Sequence, residues 1–232
     1  MSHSVKEDIL RKFKITQDKI KVIYPGIDDI FLTTQSEEKL INTQKKYRLP
    51  EKFILYVGNI EPKKNILRLI ESYENLINKY DVPHSLVVAG RFAWKYSDIL
   101  QKITKQHNKR ILFPGYIEQS ALPALYTLAD LFVFPSLYEG FGIPPLESMA
   151  CSTPVIVSNK GALPETTGGC ASIVDPFSVD SITSTMLELL QNQTLRNQFI
   201  EKGKQHVQQF RWSRTWTETA KLYHSLICEN NV

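Results

Sequence analysis

The feature that most constrains the fold of this chain is a regular alternation of short apolar runs with stretches of helical spacing. Lys52-Phe53-Ile54-Leu55-Tyr56-Val57-Gly58 is the first run, and the segment from Asn65 to Tyr80 then places Ile66, Leu69, Ile70, Tyr73, Leu76, Ile77 and Tyr80 on one helical face. Ser85 to Gly90 repeats the strand pattern, with a helix expected from Trp94 to about Gln106. Arg110 to Tyr116 is the third run, followed by a helix from Ala121 to Leu128. Asp130 to Pro135 is the fourth, and Pro144 and Pro145 open its helix, where a missing N–H costs little. Pro154 to Ser158 and Ala171 to Pro176 complete six runs. A short helix opening at Leu163-Pro164-Glu165 lies between these two, and helices at about 178–191, 194–208 and 213–228 close the chain. This pattern predicts the α/β class, a Rossmann-like doubly wound parallel sheet of about six strands with helices on both faces. Such sheets bind ligands in the crevice outside the carboxyl ends of their strands.

Ahead of the first run, Val5 to about Phe13 is helix-like, Lys19 to Tyr24 suggests a short strand, and residues 37–47 suggest a surface helix. With 28 Lys and Arg against 24 Asp and Glu, the net charge of +4 is spread without a basic stripe, which argues against a nucleic-acid partner. Cys151, Cys170 and Cys228 lack CxxC spacing, so they are expected as small fillers in a reducing compartment. Trp94 and the Trp212 and Trp216 pair are expected to be packing residues rather than a cofactor box. The chain is expected to be soluble: Met1-Ser2-His3-Ser4 is no signal peptide, and no apolar run approaches the roughly 18 to 20 residues of a membrane span.

Chemistry concentrates in Ser136-Leu137-Tyr138-Glu139-Gly140-Phe141-Gly142-Ile143-Pro144-Pro145-Leu146-Glu147, a strand-to-helix turn with two glycines and two carboxylates. Carboxylates facing a strand-end crevice can accept hydrogen bonds from vicinal hydroxyls of a ribose or pyranose. Spacing alone leaves a second reading equally open, in which Glu147 complements a helix N-terminus and Glu139 is solvated. Gly58-Asn59-Ile60-Glu61-Pro62-Lys63-Lys64-Asn65 puts two ammonium groups at the first strand-to-helix turn, suited to a diphosphate or simply a solvated pair. Arg91, after Gly90, has the same position beyond the second strand. GxGxxG after a strand, GxxxxGK[ST], HExxH and GxSxG are all absent, so the common phosphate fingerprints, a zinc site and a nucleophile elbow are not indicated.

Together, Gly58 to Lys64, Gly90-Arg91, Pro114-Gly115-Tyr116, Ala129 through Glu147, Thr153-Pro154-Val155-Ile156 and Leu163-Pro164-Glu165 resemble the C-terminal domain of retaining GT-B glycosyltransferases of family 4, glycosyl transferases group 1. The resemblance implies one half of a GT-B fold. Residues 1–31 would be the end of the N-terminal domain with the interdomain segment, 32–212 the nucleotide-sugar domain, and 213–232 a crossover helix. It further implies that Glu147 holds the donor ribose and that Glu139 is the catalytic residue beside the transferred sugar. The backbone of Gly140, Phe141, Gly142 and Ile143 would contact sugar and phosphates, and Lys64 the diphosphate. Tyr116 and Ile117 would hold the base. No metal or other cofactor is expected, the leaving diphosphate being stabilised by cations and N–H groups. Where much of the family has an Arg, this chain has Asn59, so Lys63 or Arg91 is expected to supply the second cation. The Gly-x-x-Glu-Pro-x-Lys-Asn loop resembles a mannosyltransferase-like branch and leans towards GDP-mannose.

The family's N-terminal acceptor domain is missing from this resemblance, so the isolated chain is expected to bind donor without efficient transfer. Its exposed crevice face favours a homo-oligomer. The location expected for the full-length enzyme is cytoplasmic, peripheral at the inner membrane surface. The alternative is a stand-alone, non-catalytic nucleotide or nucleotide-sugar binding module.

Overall fold

The computed structural model describes residues 1–93 and 109–229; the helix expected from Trp94 to Gln106 lies outside them. Six strands form one sheet: β1 (Phe53–Val57), β2 (Ser85–Ala89), β3 (Ile111–Gly115), β4 (Leu131–Phe134), β5 (Val155–Ser158) and β6 (Ser172–Val174). Their order is β3-β2-β1-β4-β5-β6 and every pairing is parallel. Phe53, Ile54, Leu55, Tyr56, Leu131, Phe132 and Val133 are wholly buried, as continuous apolar strands covered on both faces must be. The described helices are α1 (His3–Lys12), α2 (Glu37–Tyr47), α3 (Ile66–Lys79), α4 (Leu122–Leu128), α5 (Ile143–Ala150), α6 (Leu163–Thr167), α7 (Val179–Gln191), α8 (Gln193–His206) and α9 (Trp212–Glu229).

Strand order reverses between β1 and β4, which pair through Ile54 with Leu131 and Leu55 with Phe132. Connections leaving these two strands diverge to opposite sides, so a crevice opens between them at their carboxyl ends. Helix α3 buries Ile66, Leu69, Ile70, Tyr73 and Leu76, the stripe its spacing predicts. Ser36, Ser178 and Asn192 cap α2, α7 and α8 by accepting from Lys39, Ser181 and Leu195 amides, which fixes where those helices begin.

Two expectations are corrected. Lys19 to Tyr24 is a 3-10 turn (Gln17–Lys19) followed by extended chain, not a strand. Its carbonyls are taken by side chains instead of a ladder: Lys6 Nζ donates to Ile20 O at 2.8 Å and Thr215 Oγ1 to Tyr24 O at 2.7 Å. The segment then meets the start of α9 through a parallel bridge between Ile27 and Arg211. Trp212 and Trp216 do not pack inside, being 47% and 73% exposed. Helix α9 turns Leu222, Ser225 and Leu226 toward a groove of about 900 Å³ shared with Ile15 and Ile20, which leaves the tryptophan face outward. Cys151 and Cys170 are buried as expected, whereas Cys228 is exposed on α9.

At the ends of β1 and β2 the backbones nearly touch. Gly90 sits at φ 146°, and a Cβ added there would lie 1.9 Å from Gly58 O. Gly90→Ala is therefore expected to lower the unfolding free energy by about 3 kcal/mol, read from urea denaturation, through a backbone clash and a disfavoured φ together.

Candidate functional site

The loops after β1 and β4 are joined directly above the crevice. Leu137 N donates to Lys63 O at 2.9 Å, so the two strand ends are held in register beyond the sheet. Beside this bond Lys64 Nζ lies 2.6 Å from Glu139 Oε1, and both side chains are mostly shielded from solvent. The same ammonium stands 5.1 Å from the centre of the Phe134 ring. An ammonium carries three donors, so pairing with Glu139 leaves N–H groups for a further anion. Asn65 follows at φ 62°, buried, with its side-chain amide donating to Pro135 O at 3.1 Å and Pro176 O at 2.7 Å. It thereby ties the loops after β1, β4 and β6 to one another.

The turn from Glu139 to Gly142 has three consecutive carbonyls anchored from outside it. Glu139 O accepts from Ala162 N at 2.9 Å, Gly140 O from Ser2 Oγ at 2.8 Å, and Phe141 O from Thr166 Oγ1 at 2.8 Å. A trans peptide places its N–H opposite its carbonyl, so fixing these oxygens fixes the N–H groups of Gly140, Phe141 and Gly142. Among the described residues no hydrogen bond takes those three N–H groups. Gly142 then enters α5 at φ 99°, with Leu163 Cδ2 2.6 Å from where a Cβ would stand and no side-chain cap on the helix. Oriented N–H groups leading into a helix N-terminus form a concave, electropositive lip suited to phosphate oxygens.

Glu147 lies one helical turn inside α5, and its Oε2 accepts from the Tyr126 hydroxyl at 2.9 Å. Burial raises its pKa from 4.5 to about 7; the Tyr126 bond opposes that rise and the nearby Asp28 charge adds to it. Tyr126 is itself fully buried, and burial together with Glu147 pushes its hydroxyl well above the ordinary range. At the far end of the rim a cleft of about 390 Å³ is lined by Gly58, Asn59, Gly90, Arg91, Tyr116 and Ile117, among others. Arg91 places its guanidinium 4.3 Å from the centre of the Tyr116 ring.

The structure thus brings most of the candidates onto one rim, in three groups: Lys64 with Glu139, the Gly140 to Ile143 turn with Glu147, and the Arg91 and Tyr116 cleft. Lys63 and Arg91 do not converge on the Lys64 position. Lys63 is half-exposed and faces Glu61 at 3.8 Å within its own loop, while Arg91 stacks at the cleft end. Asn59 is exposed, and its carbonyl accepts from Tyr56 OH at 3.2 Å. The Phe141 ring points inward against Tyr24 and Phe210, so only its backbone faces the turn. Sequence reasoning did not pick out Tyr126 or Asn65 as contributors. Asn65 was marked only as the closing residue of the Gly-x-x-Glu-Pro-x-Lys-Asn loop, with no role of its own, and Tyr126 sits unmarked in an apolar helix. Among the described residues no group of three or more His, Cys, Asp or Glu is placed to hold a metal, and no helix is long and apolar enough to cross a membrane.

A doubly wound parallel sheet with oriented turn N–H groups and a carboxylate at its switch point has the architecture of a Rossmann-like α/β domain. The family model for glycosyl transferases group 1 matches residues 37–206. The chain is 32% identical over 223 residues to O-antigen chain mannosyltransferase B of Escherichia coli, covering 95% of this chain and 58% of that protein. It is 30% identical over 219 residues to the serotype-specific mannosyltransferase WbdA of Escherichia coli, covering 93% of this chain and 27% of WbdA. A glycosyltransferase from Rickettsia africae ESF-5 superposes with a TM-score of 0.87 at 22% identity, over 97% of this chain and 62% of that one. Anabaena HepE in complex with UDP-glucose superposes with a TM-score of 0.84 at 18% identity, over the same shares of the two chains. The chain belongs to the glycosyl transferases group 1 family and has the fold of one half of a GT-B enzyme. It spans little more than half the length of mannosyltransferase B.

Glu147 makes the site costly to fold at neutral pH. Its folded pKa of about 7 against an ordinary 4.5 means that the folded chain binds this proton more tightly. The cost is therefore absent below 4.5, grows as pH rises toward 7 and is complete above it, reaching about 3 kcal/mol. Glu147→Gln, which keeps an acceptor for Tyr126, is expected to gain about 2 to 3 kcal/mol of stability at pH 8 and little at pH 4.5, by urea denaturation at the two pH values.

Proposed function

We propose that this chain is the donor-binding half of a retaining glycosyltransferase that moves a sugar from a nucleotide-sugar to a glycan or lipid-linked acceptor. The observation that carries the reading is that the Arg91 and Tyr116 cleft, the Lys64 ammonium, the anchored Gly140 to Gly142 turn and Glu147 all stand at the carboxyl-end side of one parallel sheet. Along that side the base would lie in the cleft, the ribose hydroxyls on Glu147, the diphosphate between Lys64 and the turn, and the sugar beside Glu139. Glu139 is the group assigned to the reacting centre. Lys64 and the turn N–H groups would stabilise the charge that builds on the departing diphosphate, as fixed donors do in a partly dry site. Lys63 and Arg91 would contribute longer-range positive charge rather than direct contacts.

GDP-mannose is the favoured donor. The Gly58-x-x-Glu61-Pro62-x-Lys64-Asn65 loop supports it, as do the two Escherichia coli relatives, which are named mannosyltransferases. Transfer would need an acceptor half that these residues do not include. The rings of Trp216 and Tyr223, exposed on α9, suit burial against that half or, in its absence, against a second copy of the chain. We place the reaction in the cytoplasm, with the full-length enzyme at the inner membrane surface.

Calorimetric titration with GDP, UDP, ADP and their sugar conjugates tests the reading. The chain is expected to bind one nucleotide class, unaffected by EDTA, and to lose roughly tenfold or more in affinity in Glu147→Ala and in Lys64→Ala. A folded chain that binds none of these nucleotides would sink the reading, and metal-dependent binding would remove the role given to Lys64.

A further inference from the structure

We propose that Glu165 is a positioning residue for the donor turn, acting through the N-terminal helix α1 rather than through the ligand. The proposal rests on reading the turn as the place where donor phosphates and sugar are bound.

Of the three anchors on the turn, Ala162 and Thr166 belong to the segment that carries Glu165. The third, Ser2, comes from the far end of the sequence. It is wholly buried and serves two bonds at once: its Oγ accepts from Val5 N at 3.2 Å, capping α1, and donates to Gly140 O at 2.8 Å. Ser2 can hold Gly140 only if the start of α1 is itself held, and Glu165 does this. Its Oε1 accepts from His3 N and from the Tyr24 hydroxyl, both at 2.7 Å, and its Oε2 accepts from Ser4 N at 2.8 Å. Burial by itself would raise the Glu165 pKa, but these bonds outweigh it and hold the carboxyl below its ordinary value. The same helix also reaches the turn at Tyr138, whose hydroxyl donates to Asp8 at 2.8 Å, and near Gly140, where an added Cβ would lie 3.6 Å from Val5 Cγ2.

The contacts close a ring from Glu165 to the α1 amides, from α1 through Ser2 to the Gly140 carbonyl, and from the turn back to Ala162. Glu165 is a carboxylate because two backbone N–H groups and a hydroxyl converge on it. A glutamine would face one of those donors with its own amide N–H. Releasing α1 frees the Gly140–Phe141 peptide to rotate, and with it the Phe141 N–H.

The test uses the full chain, with Glu165→Gln, Ser2→Ala and the double variant. In NMR relaxation the order parameter of the Phe141 amide is expected to fall from about 0.85 to below about 0.6 in both single variants, while the Gly140 and Gly142 amides, held through Ala162 and Thr166, and core amides such as Leu55 keep theirs. Protection from hydrogen exchange is expected to be lost in Glu165→Gln at whichever of the His3 and Ser4 amides meets the glutamine N–H, and to persist at both in Ser2→Ala. Affinity for GDP-mannose is expected to fall about fivefold in each single variant and no further in the double, because both break one chain of contacts. Glu147→Ala combined with Glu165→Gln should instead lose the product of the two factors. An unchanged turn in Glu165→Gln, or additive losses in the double variant, would overturn the proposal. If the parent chain binds no nucleotide the functional reading fails separately, and the relaxation and exchange measurements still decide the role of Glu165.

Discussion

Everything at the candidate site depends on the contact between Lys64 and Glu139 across the switch point of the sheet. The two residues are 75 positions apart, yet their charged atoms are 2.6 Å apart because β1 and β4 are adjacent parallel strands. A shielded ion pair of this kind is poor evidence for stability, since the desolvation of two charges offsets most of their attraction. Its value lies in placement. The pair holds both charged groups at the carboxyl ends of β1 and β4, beside the turn whose N–H groups are oriented by Ala162, Ser2 and Thr166. The Leu137 to Lys63 backbone bond and the Asn65 side chain then hold the loops that carry the pair.

The neighbouring features share a property, in that each is unfavourable taken alone. Asn65 and Gly142 have positive φ, three turn N–H groups lack acceptors among the described residues, and Glu147 is a carboxylate buried enough to titrate near neutrality. Such costs persist only where the surroundings over-determine them. Here the surroundings are the wholly buried strands, the anchors from Ala162 and Thr166, and the α1 segment clamped by Glu165. The fold thus holds the N–H groups and charged side chains of the rim in place through contacts within the protein, as the proposed stabilisation of a leaving diphosphate would require.

Much of this was legible in the sequence because its causes are local. Apolar runs ending near Gly58 and Gly90 and the stripe from Ile66 to Leu76 are periodic patterns, and they placed the strands and α3 within about a residue. The glycine and glutamate pattern of the turn likewise marked the rim. What was not legible depends on contacts far apart in sequence. Lys19 to Tyr24 has the composition of a strand, but Lys6 and Thr215 take its carbonyls, and neither is near it in the chain. Lys63 and Arg91 look equivalent to Lys64 as cations at strand ends. Only folding shows that one turns to Glu61 and the other to Tyr116. Tyr126, Ser2 and the clamping role of Glu165 leave no pattern at all, because each gains its meaning from a partner at least 21 residues away.

The most direct test of the account is a crystal structure of this chain with a nucleoside diphosphate. The account predicts a phosphate oxygen within about 3 Å of Lys64 Nζ and of the Phe141 or Gly142 N–H, with the Lys64 to Glu139 contact retained and the ribose hydroxyls on Glu147. A nucleotide bound away from the β1 and β4 switch point, or a Lys64 that leaves Glu139 without meeting a phosphate, would contradict it.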